Sequence, residues 1–187
     1  TNMIVDHCVF RNCTSGSKAG DIFVDQSTAT QSIIRNSIFE NCNNTVADQA
    51  AAISCESGTV NVLVENCIIR GCTGDVMIYS RNGMTVRNCV VYNNHTSKNG
   101  CLYGEGTFIN NTVCNNTGVD GRYVGSRISG KGYNNVFWGN TAPNANVNFV
   151  KEGSNNVGDV GKEAACFIST SLATDNNAAA GPNFRNP

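Results

Sequence analysis

Apolar residues in this chain come in runs of two or three, set off by Asn, Gly and Cys, and the runs recur in the same order. The string His7-Cys8-Val9-Phe10-Arg11-Asn12-Cys13-Thr14 returns as Asn36-Ser37-Ile38-Phe39-Glu40-Asn41-Cys42-Asn43 and again as Asn66-Cys67-Ile68-Ile69-Arg70-Gly71-Cys72-Thr73. It continues as Asn88-Cys89-Val90-Val91-Tyr92-Asn93-Asn94, as Asn111-Thr112-Val113-Cys114-Asn115-Asn116-Thr117, and as Asn134-Asn135-Val136-Phe137-Trp138-Gly139-Asn140-Thr141. With Cys8 as the marker, the copies fall at positions 8, 37, 67, 89, 112, 135 and 156. Such a period is one coil of a solenoid.

Two further apolar runs lie in each period. One follows the marker: Ile22-Phe23-Val24, Ile53-Ser54-Cys55, Val76-Met77-Ile78, Leu102-Tyr103-Gly104, Tyr123-Val124-Gly125 and Val147-Asn148-Phe149. The other precedes it: Ile33-Ile34, Val62-Leu63-Val64, Met84-Thr85-Val86 and Phe108-Ile109. Three short β-branched or aromatic runs per period, punctuated by Gly and Asn, predict three strands and three turns. The expected fold is all-β: a single-stranded right-handed parallel β-helix of six to seven coils with three short strands per coil. Residues 1–160 carry the repeats, and 161–187 form a non-repetitive tail expected to pack on the solenoid without being a separate domain.

Composition agrees with this pattern. Leucine, a strong helix former, occurs only at Leu63, Leu102 and Leu172, which argues against helices and against leucine-rich repeats. Charged residues make up 14%, against about 25% in an average soluble protein, and 29 Asn take over the polar surface and the turns. A net charge of −1 lacks the basic footprint of a nucleic-acid partner. No apolar run approaches the roughly 18 residues of a membrane span.

Strand alternation sorts the columns. The column Cys8, Ser37, Cys67, Cys89, Thr112 and the column Phe10, Phe39, Ile69, Val91, Cys114, Phe137 are expected to face the core. The columns Asp6, Arg35, Glu65, Arg87 and Arg11, Glu40, Arg70, Tyr92 alternate in sign from coil to coil, as register-setting ladders should. The column Asn12, Asn41, Gly71, Asn93, Asn116 is expected at a turn, where Asn tolerates left-handed backbone. Eight of the ten cysteines lie on repeat columns, about 4.8 Å from their neighbours, which is wider than disulfide geometry allows; they read as buried thiol rungs, with Cys13–Cys42 or Cys42–Cys72 the best exception. With no CxxC and with His7 and His95 at unrelated positions, neither a metal nor a cofactor is expected.

The same parity leaves Val9, Ile38, Ile68, Val90, Val113 and Val136 as an aliphatic stripe facing out. Such a face is normally covered, here by the tail with Phe167, Ile168 and Leu172, by a protein partner, or by a segment of a parent chain. An uncovered first coil would invite pairing too, so the chain reads as a piece of a longer exported protein or as a subunit capped by a partner. On the run after the marker, parity exposes Phe23, Asp25, Ser54, Glu56, Met77, Tyr79, Tyr103, Glu105, Val124 and Ser126. Phe23, Tyr79 and Tyr103 beside Asp25, Glu56 and Glu105 form a candidate glycan-binding face, because aromatic rings stack sugars and carboxylates bond hydroxyls.

The Asn-Cys-x-Phe-x-Asn-Cys strings and the Asn134–Thr141 signature resemble the pectate-lyase-like β-helix proteins, more narrowly the Asn/Cys-rich right-handed β-helix region proteins secreted by Bacteroidetes and similar bacteria. The resemblance covers about residues 4–157. It implies a secreted or outer-surface bacterial protein, a structural spacer or adhesin that contacts polysaccharide, with a polysaccharide lyase or glycoside hydrolase as the alternative. The catalytic constellations of such enzymes are missing: there is no Asp-Asp pair, no Gly-His-Gly and no Arg-x-Lys. No catalytic residue is therefore assigned.

Overall fold

The computed structural model describes residues 3–158 except 19, 26–29, 56–60, 82, 120–121, 144–147 and 155. Every element described is a strand, and every ladder is parallel. The chain winds into a parallel β-helix with three faces. The first face stacks Ile4–Asp6, Ser32–Arg35, Val62–Glu65, Met84–Arg87, Thr107–Ile109 and the end of Ser126–Tyr133. The second stacks seven strands, Val9–Arg11, Ile38–Glu40, Ile68–Arg70, Val90–Tyr92, Thr112–Cys114, Val136–Trp138 and Val157–Gly158. The third carries Ile22–Val24, Ala50–Cys55, Thr73–Ser80, His95–Gly104, the start of Ser126–Tyr133 and Asn148–Ser154. The seven rungs of the second face agree with the coil number expected from the repeat. The tail from 161 to 187 lies outside the described residues.

The corners explain the asparagines. His7, Asn36, Asn66, Asn88, Asn110 and Asn134 turn the chain from the first face to the second with φ between 50 and 55°. Asn12, Asn41, Asn93 and Asn115, with Gly71 and Gly139, do the same one strand later. Asn is the side-chain-bearing residue best suited to this left-handed region. Gly71 and Gly139 fit the same corners, where a Cβ would run into the Asn41 and Asn115 amides of the preceding coil.

At each corner the next residue turns inward, and its N–H points along the helix axis toward the side chain one coil on. Two interior columns supply the acceptors. The first is Cys8, Ser37, Cys67, Cys89, Asn111, Asn135 and Asn156: Cys8 N donates to Ser37 Oγ at 3.1 Å, Cys89 N to Asn111 Oδ1 at 3.0 Å, and Asn111 N to Asn135 Oδ1 at 3.0 Å. The second is Cys13, Cys42, Cys72, Asn94, Asn116 and Asn140, with Cys72 N donating to Asn94 Oδ1 at 2.8 Å and Asn94 N to Asn116 Oδ1 at 2.9 Å. Each column begins in thiols and ends in amides. The amide NH2 groups return the bond to main-chain carbonyls, as from Asn94 to Ile69 O at 3.1 Å and from Asn116 to Val91 O at 3.0 Å. Thiols can do so only weakly, as from Cys72 to Phe39 O at 3.7 Å.

This assignment corrects the fifth coil by one residue. Thr112 pairs with Val90, Val113 with Val91 and Cys114 with Tyr92. The inward marker is therefore Asn111 instead of Thr112, the core rung is Val113 instead of Cys114, and the corner is Asn115 instead of Asn116. Val113 is fully buried, so the outward stripe runs Val9, Ile38, Ile68, Val90, Thr112 and Val136, broken by a threonine at its fifth position. Within it Val9 is 56% exposed and Val90 37%, while Ile38, Ile68 and Val136 are half-buried. A small polar residue was expected where the structure uses an amide.

The charge ladders form as expected. Arg35 donates to Asp6 through Nε and Nη2 at 3.0 and 2.8 Å, and Arg87 to Glu65 at 2.8 and 2.6 Å. Glu40 lies between Arg11 and Arg70, at 2.6 and 2.7 Å. The Arg11 hydrogen bond is the main cause holding the Glu40 carboxyl below its ordinary range, as the Arg35 hydrogen bond is for Asp6. Inside, Phe10 stacks on Phe39 with ring centroids 4.9 Å apart and planes within 1°.

The nine described cysteines are unbridged. Cys42, Cys55, Cys67, Cys72, Cys89 and Cys101 are buried, while Cys8, Cys13 and Cys114 are half-exposed. Access controls thiol chemistry, so native alkylation of the metal-free protein, mapped by mass spectrometry, is expected to label Cys8, Cys13 and Cys114, and to label the six buried thiols only after unfolding. Protection of Cys114 to the level of Cys89 would contradict the corrected register, which turns Cys114 outward.

Candidate functional site

Outward residues of the third face fall in register as Phe23, Ser54, Tyr79, Tyr103 and Arg127. Of the residues expected there, Tyr79 and Tyr103 meet directly: their rings stack with centroids 4.9 Å apart and planes 22° apart. Tyr79 is only 9% exposed, because Ala50 and Val76 pack beneath it and Tyr103 lies beside it. Met77, Val124 and Ser126, expected to face outward, are fully buried instead, and Ser54, though on the outward column, is covered as well. The ladder shifts register between Val76 and Ile78, and a bulge of this kind re-aims side chains, here sending Met77 into the main core. Next to Leu102 the ladder places Ser126, so Arg127 takes the outward position beside Tyr103.

Arg127 is the residue that parity anchored on Val124 misses. Its guanidinium carbon lies 5.6 Å from the Tyr103 ring centroid and 5.4 Å from that of Tyr123, within cation–π range of both. A relay fixes it: Arg127 Nη1 donates to Asn99 Oδ1 at 2.6 Å, and Asn99 Nδ2 donates to Asp48 Oδ1 at 3.1 Å. Lys98 Nζ also meets Asp48, at 2.7 Å. The hydrogen bond from Lys98 is the leading cause holding the Asp48 carboxyl below its ordinary value. Arg81 is the second missed residue. Its Nε donates to the Tyr79 hydroxyl at 2.5 Å, and its guanidinium carbon lies 5.5 Å from the Tyr79 centroid. Its signal was in the sequence, since it stands two residues after Tyr79 and shares its parity.

Between these groups lies a cavity of about 310 Å³, walled by Tyr79, Ser80, Arg81, Tyr103, Gly104, Glu105 and Ser129. Glu105 is exposed at its rim, its backbone N–H held by Ser80 O at 2.8 Å. The expected face therefore divides. Tyr79, Tyr103 and Glu105 come together, while Phe23 is 37% exposed two coils below Tyr79 with Lys18 Nζ 5.8 Å from its ring centroid. Asp25 is exposed just beyond Phe23, and Glu56 lies outside the described residues.

Chemically, this wall is aromatic and cationic with a single carboxylate at its rim. The faces of Tyr79 and Tyr103 are taken up by each other and by guanidinium groups, so a ligand meets hydroxyls, ring edges, two cations and one carboxylate. Asp25 and Glu105 stand three coils apart, roughly 14 Å at 4.8 Å per coil, beyond the roughly 5–9.5 Å that glycoside hydrolysis requires of its carboxylate pair. Among the described residues, Glu105 is the only carboxylate that lines the cavity.

Residues 1–142 match the family model described as "Right handed beta helix region". Searches of curated proteins and of solved structures found no match.

Proposed function

The chain belongs to the right-handed β-helix family, and from that premise we propose that it is a non-catalytic module on the outside of a bacterial cell, a rigid spacer or adhesin whose third face contacts glycans. The family fits a structural or carbohydrate-related role. The observation that carries the glycan reading is the cavity of about 310 Å³ in which Tyr79, Arg81, Tyr103 and Glu105 converge. Few polar groups converging on an open hollow are suited to orienting a hydroxyl-rich ligand. Arg127, held by Asn99, gives the wall its rigidity.

An exported setting requires that the thiols survive oxidation. Exchange needs access, and burial of six of the nine described cysteines restricts it.

The test is a glycan array followed by calorimetric titration of any hit and a reducing-sugar assay. The expected result is binding without turnover, weakened at least tenfold, about 1.4 kcal/mol, in Tyr103→Ala and in Arg81→Ala while circular dichroism stays unchanged. Turnover would establish the lyase or hydrolase alternative. Absence of any glycan hit would leave the spacer role and remove the binding one.

A further inference from the structure

At the first coils of the helix, away from the tyrosine wall, three ligand-bearing side chains converge from different parts of the chain. Cys13 and Cys42 are adjacent rungs of the second interior column, and Asp21 enters from the loop that leads into the third face. The two sulfurs and a carboxylate oxygen all lie within 4.8 Å of one another. Both Asp21 oxygens are out of solvent and without a hydrogen-bond partner, a costly arrangement for a polar group. The main-chain N–H groups of Gly20 and Asp21 are spent on Ala50 O and Ala52 O at 2.8 and 3.1 Å, which fixes the loop.

We propose that Cys13, Cys42 and Asp21 bind a borderline-soft divalent cation of the zinc class, with one coordination position left for water. Two thiolates and a carboxylate are a donor set that zinc takes readily. Its bond lengths place tetrahedral ligand atoms roughly 3.3–3.8 Å apart, so closure needs only small side-chain movements. A shallow hollow of about 310 Å³ lined by Ser17, Lys18, Gly20, Asp21 and Phe23 gives a route in and room for the water. Cys72 stands behind the site, its Sγ accepting the Cys42 N–H at 3.4 Å, and supports the Cys42 rung from the dry side. Without a cation, burial is the main cause raising both the Cys13 thiol, up to about 11, and the Asp21 carboxyl. Sequence spacing conceals such a site, because its two thiols are one whole coil apart.

The test uses the full chain, purified with reductant and chelator and then desalted, with zinc and cobalt as the probes. Native mass spectrometry is expected to show one zinc per chain, and cobalt to give a thiolate charge-transfer band. Zinc should raise the melting temperature of the wild type. Asp21→Asn and Cys13→Ser should weaken zinc binding at least tenfold, while Cys114→Ser, remote from the site, binds as the wild type does. Zinc-free Asp21→Asn should melt no lower than the zinc-free wild type, since it removes a buried unpaired carboxylate. The proposal is overturned by a folded wild type that takes up no zinc and gives no cobalt–thiolate band, by unweakened binding in Asp21→Asn, or by a Cys13–Cys42 disulfide in protein isolated without reductant.

Discussion

Replacing Asn116 by Ala is expected to destabilise the protein by about 3–5 kcal/mol, a large share of the roughly 5–15 kcal/mol by which a domain is stable. Asn116 is fully buried. Its Oδ1 accepts both the Asn94 N–H at 2.9 Å and the Asn94 amide at 3.0 Å, and its Nδ2 donates to Val91 O at 3.0 Å and Asn140 Oδ1 at 2.8 Å. Alanine leaves the Asn94 N–H with no acceptor in a dry interior, at about 1–3 kcal/mol, and opens a cavity in addition. Chemical unfolding followed by circular dichroism measures the loss. Asn116→Cys should cost about half as much, because the column already holds thiols at Cys42 and Cys72, where the Cys42 N–H settles for sulfur at 3.4 Å. Asn116→Asp should cost more than Ala, since it keeps the acceptor but buries a charge. A loss below about 1 kcal/mol for Ala would mean that water replaces the amide and that the ladder is not what satisfies the corner.

The same ladder shows why so much of this fold could be read from the sequence and why one coil was misplaced. A left-handed corner favours Asn or Gly, the next position must be small and polar, and the one two beyond must be apolar. Those three demands in each coil create the repeat, and the sign alternation along Asp6, Arg35, Glu65 and Arg87 sets the register between coils. The error at Thr112 arose because Cys, Ser, Thr and Asn look interchangeable as small polar residues. The interior distinguishes them: the position needs an acceptor that reaches along the axis, which Asn111 supplies to Cys89 N.

The candidate site was legible only in part, for a different reason. Strand parity holds where the ladder is regular, and it correctly turned Tyr79 and Tyr103 outward. It failed at the bulge between Val76 and Ile78, where Met77 turns inward, and at the entry to the strand beginning at Ser126. The arginines changed the chemistry most. A face read as aromatic and acidic is aromatic with Arg81 and Arg127 laid against the rings, and the relay from Asp48 through Asn99 to Arg127 joins residues that no local pattern connects.

Gly104→Ala tests whether that wall depends on a single backbone conformation. Gly104 lies between Tyr103 and Glu105 with φ at +113°, a region that side-chain-bearing residues rarely enter, and a Cβ there would overlap the Ser80 carbonyl oxygen. That oxygen receives the Glu105 N–H at 2.8 Å, so relief of the overlap must either break this bond or separate the two coils. Backbone strain costs about 1–3 kcal/mol and loss of the buried bond about as much again, so a destabilisation of about 3–5 kcal/mol is expected. Gly16→Ala, where a Cβ meets nothing within 4 Å, is the matched control and should change stability by no more than about 0.5 kcal/mol. Separation of the coils at Ser80 would also pull Tyr103 off Tyr79 and move Glu105 from the cavity rim, so any glycan affinity should fall with the stability. Tyr103→Ala should lose affinity while keeping most of the stability, because Tyr103 is only half-buried at the wall. If Gly104→Ala instead folds with wild-type stability and retains binding, the close contact between the third and fourth coils is not what shapes the face, and its geometry must come from the Asn99–Arg127 relay alone.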